Sequence, residues 1–174
     1  DFNIITKRLN LFPYQMLFFS AFRYGNLQPA FPEIAGKTER KLSTLQADEQ
    51  VLLLTGIASP APIMQELEKY TSHIDLLAFD DHHNFSQRDI QSIRERFKKL
   101  KGEQRLIITT EKDATRLVHH PVMDRELKKY IYILPIEVEI LQNQQDIFNQ
   151  HIIGYVRAHS RNSSLSEGKD AHPA

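Results

Sequence analysis

The sequence contains no cysteine, and this absence excludes several kinds of chemistry. Without thiols the chain cannot form a disulfide framework, a thiolate zinc site or a cysteine nucleophile, and it suits a reducing cytosol. An excess of one charge is also lacking, because 22 Lys and Arg residues balance 22 Asp and Glu residues. A neutral chain has no overall positive field to attract nucleic acid, so we expect no nucleic-acid partner.

Long hydrophobic runs and closely spaced glycines are missing as well. The most apolar stretch, residues 11–22, contains Pro13 and Gln15 and is shorter than the roughly 20 apolar residues that span a bilayer. The six glycines include no pair with the spacing of a G-x-x-x-x-G-K-[ST] phosphate-binding loop (P-loop). We therefore predict neither a membrane-spanning segment nor a nucleotide-binding P-loop within this sequence.

The chain does contain enough apolar sequence for one compact domain. Of its 174 residues, 41% are hydrophobic, which allows a real core but not a second full domain. The chain starts with Asp1 and enters helix-like sequence at once, so we interpret it as a piece of a longer protein.

Short apolar runs alternate with amphipathic helical patterns along most of the chain. Ser86 and Asp89, three positions apart, form a variant of the capping box that begins a helix. The predicted helices are residues 2–11, 62–70, 86–100, 112–118 and 146–157. The predicted strands are residues 16–24, 51–54, 74–79, 105–109 and 130–140, with a break at Pro135, and residues 26–41 are predicted to form a connecting loop.

This order of elements predicts a parallel sheet. Strands separated by helices cannot pair through hairpins, and right-handed crossovers make their sheet parallel. The strands are apolar along most of their length, which indicates burial on both faces. We therefore predict a three-layer α/β/α fold with a mainly parallel sheet, plus an extended two-stranded linker formed by residues 16–24 and 136–140.

Polar clusters follow three successive strands, at residues 55–58, 80–84 and 109–113. The carboxyl ends of parallel strands share one edge of a sheet, which is where ligands bind in open α/β folds. The three clusters are therefore predicted to converge. The first, which contains Gly56, is most typical of plain strand-to-helix geometry.

The other two clusters each allow two interpretations. The run Asp80-Asp81-His82-His83 combines groups used for proton transfer and metal binding, or one histidine packs in the fold and the acids cap the next helix. Lys112 opposes the dipole of the helix that it starts, which favours either an anionic ligand such as phosphate or an ion pair with a flanking acid. The residues alone leave these alternatives open.

A basic run on the helix from residue 86 also allows two interpretations. It is typical of a solvated helix face, or it forms a surface for anionic lipid headgroups. The run comprises Arg88, Arg94, Arg96, Lys98, Lys99 and Lys101.

Four spaced motifs together resemble the tetraacyldisaccharide 4'-kinase family. They are LLLTGIASP (52–60), FDDHHNFS (79–86), IITTEKDATRL (107–117) and LPIEVEIL (134–141), and FFSAFRYGNLQPAF (18–31) resembles the segment leading into the family's second domain. The resemblance implies a P-loop-type lipid A biosynthesis kinase that transfers the γ-phosphate of ATP to the 4'-hydroxyl of tetraacyldisaccharide 1-phosphate. It also implies a location at the cytoplasmic face of the bacterial inner membrane.

The resemblance also implies site residues. The family's aspartate–histidine motif falls on Asp81 and His82, which are the implied catalytic residues. His82 would support an aspartate outside this chain that activates the sugar hydroxyl. The implied cofactor-binding residues are those of the family's Thr-Glu-Lys-Asp motif, Thr110, Glu111, Lys112 and Asp113, and no metal ligand is assigned.

Because the sequence lacks a P-loop, we expect other parts of the protein to bind the nucleotide. The resemblance implies that the nucleotide grip, the Mg²⁺-binding acids and a membrane-associating helix lie upstream of Asp1. ATP and Mg²⁺ are then cofactors of the full-length enzyme, and we expect this chain alone to bind neither tightly and to be inactive. The implied partners are the P-loop half of the same protein, the lipid A disaccharide precursor and the inner-membrane surface.

The predicted domains are residues 1–45 (end of the N-terminal domain and linker), 46–157 (C-terminal α/β domain) and 158–174 (flexible tail).

Two other classes of protein compete with this interpretation. A metal-dependent phosphoesterase of the Asp-His-His class would hold manganese with Asp81, His82 and His83. It also needs further acidic ligands and a glycine-rich loop, and the sequence contains no Gly-Gly pair. A non-enzymatic, flavodoxin-like binding module fits the βα alternation but leaves the combined motifs unexplained.

Overall fold

The computed structural model describes residues 2–36, 39–81 and 83–166. The elements in these residues are α1 Phe2–Arg8, β1 Ser20–Tyr24, β2 Gln28–Pro29, α2 Pro32–Ala35, a 3₁₀ turn Leu42–Thr44, β3 Gln50–Thr55, α3 Ala61–Leu67, β4 Ile74–Ala78, α4 Gln87–Lys99, β5 Arg105–Thr110, α5 Glu111–Val118, α6 Arg125–Lys128, β6 Ile131–Leu134, β7 Ile136–Ile140 and α7 Gln145–Ser166. None of these helices combines the length and the apolar composition needed to cross a lipid bilayer.

Five strands form the main sheet in the order β2-β6-β5-β3-β4. β4, β3, β5 and β6 run parallel to their neighbours, and β2 is antiparallel to β6. β3 is the strand between β5 and β4, with Leu53 opposite Ile108 on one side and Leu76 on the other. The prediction of a mainly parallel sheet is confirmed.

Apolar side chains from β3 bury both faces of the sheet. Leu52 and Leu54 pack into one core cluster together with side chains of α4 and α5, and Val51 and Leu53 pack into a second cluster with α3. All four are 0% exposed. Period-two alternation places successive residues on opposite faces, so a continuous apolar run requires helices on both sides. The predicted three-layer α/β/α arrangement is therefore confirmed.

Helix α4 begins at the capping box that the sequence indicates. The Ser86 hydroxyl accepts a hydrogen bond from the Asp89 backbone N–H at 3.3 Å, and the Asp89 carboxylate accepts one from the Ser86 N–H at 2.7 Å. Ile90, Ile93 and Phe97 form the buried stripe of this helix. The N-terminal polar contacts and the apolar stripe together fix where α4 starts and which side faces the sheet.

The segment predicted as a loop, residues 26–41, contains regular structure, so that prediction is wrong in part. Gln28–Pro29 is an edge strand that pairs with β6, and Pro32–Ala35 is a short helix. The prolines indicate a loop in sequence, but proline is tolerated on an edge strand and in the first turn of a helix. Helix α6, Arg125–Lys128, was likewise not predicted.

The predicted two-stranded pairing is confirmed, with β1 beside β7. The backbone N–H of Leu141 donates to the Phe19 carbonyl at 2.8 Å, and that of Gly25 donates to the Pro135 carbonyl at 2.9 Å. The observed strand is shorter than the predicted one, because only Ser20–Tyr24 of residues 16–24 is extended in the sheet.

Helix α7 continues to Ser166, beyond its predicted end at residue 157. The rest of the predicted flexible tail, residues 167–174, lies outside the described residues.

The chain divides into two compact units, Tyr24–Glu137 and Asp1–Arg23 with Val138–Ala174. Every buried core side chain of the described residues lies between Leu27 and Leu134, within the unit Tyr24–Glu137. The predicted domain boundaries at residues 45 and 157 concern the whole protein and stay a prediction.

Candidate functional site

The loops after β3, β4 and β5 meet at the carboxyl edge of the sheet. The Gly56 backbone N–H, directly after β3, donates to Asp113 Oδ2 at 2.9 Å. A Cβ atom placed on Gly56 would lie 3.1 Å from the carbonyl oxygen of Asp80, in the loop after β4. The convergence predicted from the sequence is therefore confirmed for the described residues of all three loops.

Thr110 and Asp113 form a buried pair at the start of α5. Thr110 is the N-cap residue, and its hydroxyl accepts a hydrogen bond from the Asp113 backbone N–H at 3.2 Å. The same hydroxyl donates to Asp113 Oδ2 at 2.7 Å. Thr110 is 5% exposed and Asp113 is 0% exposed. Both side chains face the interior of the edge, and their predicted contact with a nucleotide stays a prediction.

Lys112 lies on the outer side of the same turn, and its ammonium group forms an ion pair with Asp81. About two fifths of the Lys112 side chain (39%) and nearly half of the Asp81 side chain (46%) are exposed. The sequence indicates an anionic ligand or a flanking acid as the partner of Lys112, but the observed partner comes from a different loop. Finding it requires the strand order, in which β3 lies between β4 and β5.

His83 is held in the fold by aromatic and polar contacts. Its ring stacks on Phe79 with 4.7 Å between ring centroids and meets the ring of Phe85 edge-on at 5.5 Å. His83 Nε2 lies 3.0 Å from Asp89 Oδ2. The interpretation in which one histidine of this loop packs in the fold is therefore confirmed for His83. His82, the implied catalytic histidine, lies outside the described residues.

The Asp89 carboxylate joins His83 to the capping box of α4. Partial burial raises its pKa, but the hydrogen bonds from Ser86 and His83 lower it by more, so the pKa of Asp89 is below its usual value. The carboxylate is thus held in its ionised form, which is the form that accepts these hydrogen bonds.

Arg116 is a residue of the edge that sequence reasoning did not single out. Its guanidinium Nη1 donates to the His83 carbonyl oxygen at 3.4 Å and lies 3.9 Å from Asp113 Oδ1. The available signal was its position three residues after Asp113 on a helix, which places both side chains on one face. Arg116 therefore connects α5 to the end of the loop after β4.

Two residues of the basic run on α4 form ion pairs with acidic residues. Arg94 lies 3.2 Å from Asp124, and Arg96 lies 3.1 Å from Asp75. Arg96 also donates to the backbone carbonyl of Leu76 at 3.0 Å. Arg94 and Arg96 thus form ion pairs within the fold, and the choice between a solvated helix face and a surface for lipid headgroups stays a prediction.

Metal ligands are the remaining question at this edge. Within residues 2–36, 39–81 and 83–166, no three His, Asp or Glu side chains are grouped so that they could hold a metal ion.

The fold and its polar edge place the chain among open α/β proteins with ligand sites at the carboxyl ends of their strands. Residues 17–156 match the model of one family, "Tetraacyldisaccharide-1-P 4'-kinase", and the chain belongs to this family.

Curated relatives agree with this assignment. The chain is 70% identical over 172 residues to the tetraacyldisaccharide 4'-kinase of Bacteroides fragilis, covering 99% of this chain and 46% of the relative. The enzyme of the same name from Bacteroides thetaiotaomicron is 65% identical over 176 residues, again covering 99% and 46%. The chain thus spans slightly less than half the length of these relatives.

A solved structure, the "apo" form of LpxK from Aquifex aeolicus in complex with ATP, is also similar. It is 14% identical, has a TM-score of 0.43, and covers 79% of this chain and 36% of that one. At this TM-score the likeness adds nothing to the family assignment.

Proposed function

We propose that the full-length protein transfers the γ-phosphate of ATP to the 4'-hydroxyl of tetraacyldisaccharide 1-phosphate, a step of lipid A biosynthesis, at the cytoplasmic face of the inner membrane. Family membership supports this activity. The chain supplies one wall of the active site, and the P-loop and Mg²⁺-binding residues belong to the rest of the protein. The observation that carries the proposal is the exposed Lys112–Asp81 ion pair at the sheet edge, which lies within the matched residues 17–156.

Asp81 and Lys112 form the exposed rim of the edge. This rim suits the electrostatics of phosphoryl transfer. A phosphoryl group in transfer carries negative charge on its oxygens, and cations placed beforehand stabilise that charge. Lys112 provides such a cation, and the Asp81 carboxylate holds its ammonium group at the rim. His82, next to Asp81 in the chain, has the role that the family resemblance implies, support of the base that activates the sugar hydroxyl.

The test is phosphate transfer by the purified full-length protein. With γ-labelled ATP and tetraacyldisaccharide 1-phosphate, we expect the wild-type protein to label the lipid. Replacing Lys112 by methionine is expected to lower kcat/KM about 100-fold or more, since removal of one preorganised charge-stabilising group has this effect in other enzymes. The 174-residue chain alone, assayed in parallel, is expected to label no lipid.

Lys129→Met is the matched control. Lys129 is 42% exposed and forms an ion pair with Glu126, so it resembles Lys112 in exposure and partner but lies outside the edge. We expect K129M to retain activity within about twofold of wild type, because exposed ion pairs contribute little. Equal activity of K112M and wild type would sink the proposed role of the rim, and failure of the full-length protein to label the lipid would sink the proposed reaction.

A further inference from the structure

Asp113 is a fully buried carboxylate whose contacts run inward. Burying a charge costs free energy unless hydrogen bonds replace water. Two such bonds reach Asp113 Oδ2, from the backbone N–H of Gly56 at 2.9 Å and from the Thr110 hydroxyl at 2.7 Å. At 0% exposure, Asp113 contacts the loop after β3 and not the exposed rim.

One connection runs from Asp113 through Gly56 to the start of the loop after β4. A Cβ atom on Gly56 would lie 3.0 Å from Asp113 Oδ1 and 3.1 Å from the Asp80 carbonyl oxygen. The Gly56 backbone therefore packs closely against both groups. The Asp80 carbonyl oxygen also accepts a hydrogen bond from the His83 backbone N–H at 3.1 Å. Asp113 thus holds Gly56 by a hydrogen bond, and Gly56 in turn packs against Asp80.

A second connection reaches the end of the same loop. Arg116 Nη1 lies 3.9 Å from Asp113 Oδ1 and donates to the His83 carbonyl oxygen at 3.4 Å. The His83 ring is in turn fixed by Phe79 and Asp89. Asp80, directly before the rim residue Asp81, and His83, two residues after it, are therefore both linked to one buried carboxylate.

We propose that Asp113 is a positioning residue, which holds the loop after β4 so that the Asp81 carboxylate meets Lys112 at the rim. This inference rests on the proposed function, because the position of Asp81 matters for activity only if the rim serves phosphate transfer. A displacement of about 1 Å at a reacting centre can lower a rate about 100-fold. Loss of the Asp113 charge is expected to lower turnover more than it weakens ATP binding.

The test compares D113N with a matched control, E49Q, in the full-length protein. Glu49 is also a buried carboxylate, 3% exposed, and its two oxygens each lie 2.6 Å from a guanidinium nitrogen of Arg40, outside the edge. We expect D113N to lower kcat about 10- to 100-fold while KM for ATP changes less than about threefold. E49Q is expected to lower the melting temperature at least as much and to keep kcat within about twofold.

A double variant separates this inference from the proposed function. D81N alone is expected to lower kcat, and adding D113N to D81N is expected to cause little further loss, because residues that act through one another are not additive. Unchanged kcat in D81N would refute the proposed role of Asp81 in the rim. Multiplied losses in the double variant, or a roughly tenfold rise in KM for ATP with kcat retained in D113N, would overturn the positioning role alone.

Arg116→Met extends the test to a more accessible side chain. The Arg116 side chain is 24% exposed, so its replacement tests the second connection even if D113N does not fold. We expect R116M to lower kcat about fivefold to tenfold with KM for ATP unchanged, and to add little to D81N. Wild-type kcat in a folded R116M protein would contradict the connection through Arg116.

Discussion

Gly56, in the loop after β3, packs closely against Asp113 and against the backbone of the loop after β4. Its Cα leaves no room for a methyl group, since a Cβ would lie 3.0 Å from Asp113 Oδ1 and 3.1 Å from the Asp80 carbonyl oxygen. We expect Gly56→Ala to lower the free energy of unfolding by about 1–3 kcal/mol, the usual cost of overpacking. Urea unfolding followed by circular dichroism measures this change.

Gly154→Ala is the control for that substitution. Gly154 lies inside α7, and among the described residues no heavy atom outside the helix's own backbone lies within 4 Å of the place an added methyl group would take. Alanine in a helix interior is favoured over glycine by about 0.5–1 kcal/mol. The two substitutions are expected to have opposite signs, and a neutral G56A would show that the loops can separate at no cost.

At the residue scale, the sequence predicts which side chains lie at the edge but not which of them touch. Gly56 and Lys112 stand out in the sequence because each follows a predicted strand. The Lys112–Asp81 pair and the Gly56–Asp113 hydrogen bond depend on strand order and on which side of a helical turn faces inward. Asp113 is fully buried while its neighbour Lys112 is partly exposed. The three-residue spacing of Thr110 and Asp113 is a capping signal, but it does not indicate how deeply Asp113 is buried.

Helix α4 illustrates how one element links stability to the site. The pKa of Asp89 is lowered in the folded protein, because the hydrogen bonds from Ser86 and His83 outweigh partial burial. A carboxylate with a lowered folded pKa stabilises the fold above its unfolded pKa of about 4, and this contribution is lost as the pH falls through the folded pKa. The capping box is therefore expected to weaken in acid.

Asp89→Asn tests this pH dependence. We expect wild type to be more stable than D89N at about pH 7, and the difference to shrink as the pH falls below about 4. Urea unfolding of both proteins at a series of pH values measures the difference. Ser86→Ala, which removes the hydroxyl of the cap, is expected to cost about 1 kcal/mol at neutral pH. A wild-type advantage over D89N that stays constant down to about pH 3 would contradict the assignment.

At the element scale, strong local signals produced correct predictions. The apolar strands, the capping box and Pro135 between β6 and β7 all carry their structure in a few adjacent residues. The edge strand Gln28–Pro29 does not, because it is two residues long and exists through its pairing with Ile133 and Tyr132. Tertiary contacts decide such short elements, and sequence periodicity cannot register them.

The two compact units differ in how they are stabilised. The unit Tyr24–Glu137 contains the buried core of the described residues. Exposed large hydrophobic residues are concentrated in the other unit, for example Phe12 at 61%, Tyr14 at 81% and Tyr155 at 64%. Exposed apolar surface does not stabilise a fold, so the stability of the chain is expected to reside in residues 24–137.

A shortened chain of residues 24–137 tests this expectation. We expect it to unfold cooperatively, with a free energy of unfolding within about 1 kcal/mol of the 174-residue chain. Thermal and urea unfolding followed by circular dichroism provide the comparison. Leu53→Ala in the same shortened chain is expected to remove about 2–5 kcal/mol, since Leu53 is fully buried. A shortened chain without a cooperative transition would place essential contacts in the other unit.

The hydrogen bond between Gly56 and Asp113 joins residues 57 positions apart, with α3, β4, α4 and β5 between them. Closing so long a segment is entropically slow, and folding rates fall as contacts become more distant in sequence. The edge is therefore expected to reach its final arrangement late on the folding pathway, after the central strands have aligned. A newly synthesised molecule would then acquire its native secondary structure before it becomes competent to support catalysis.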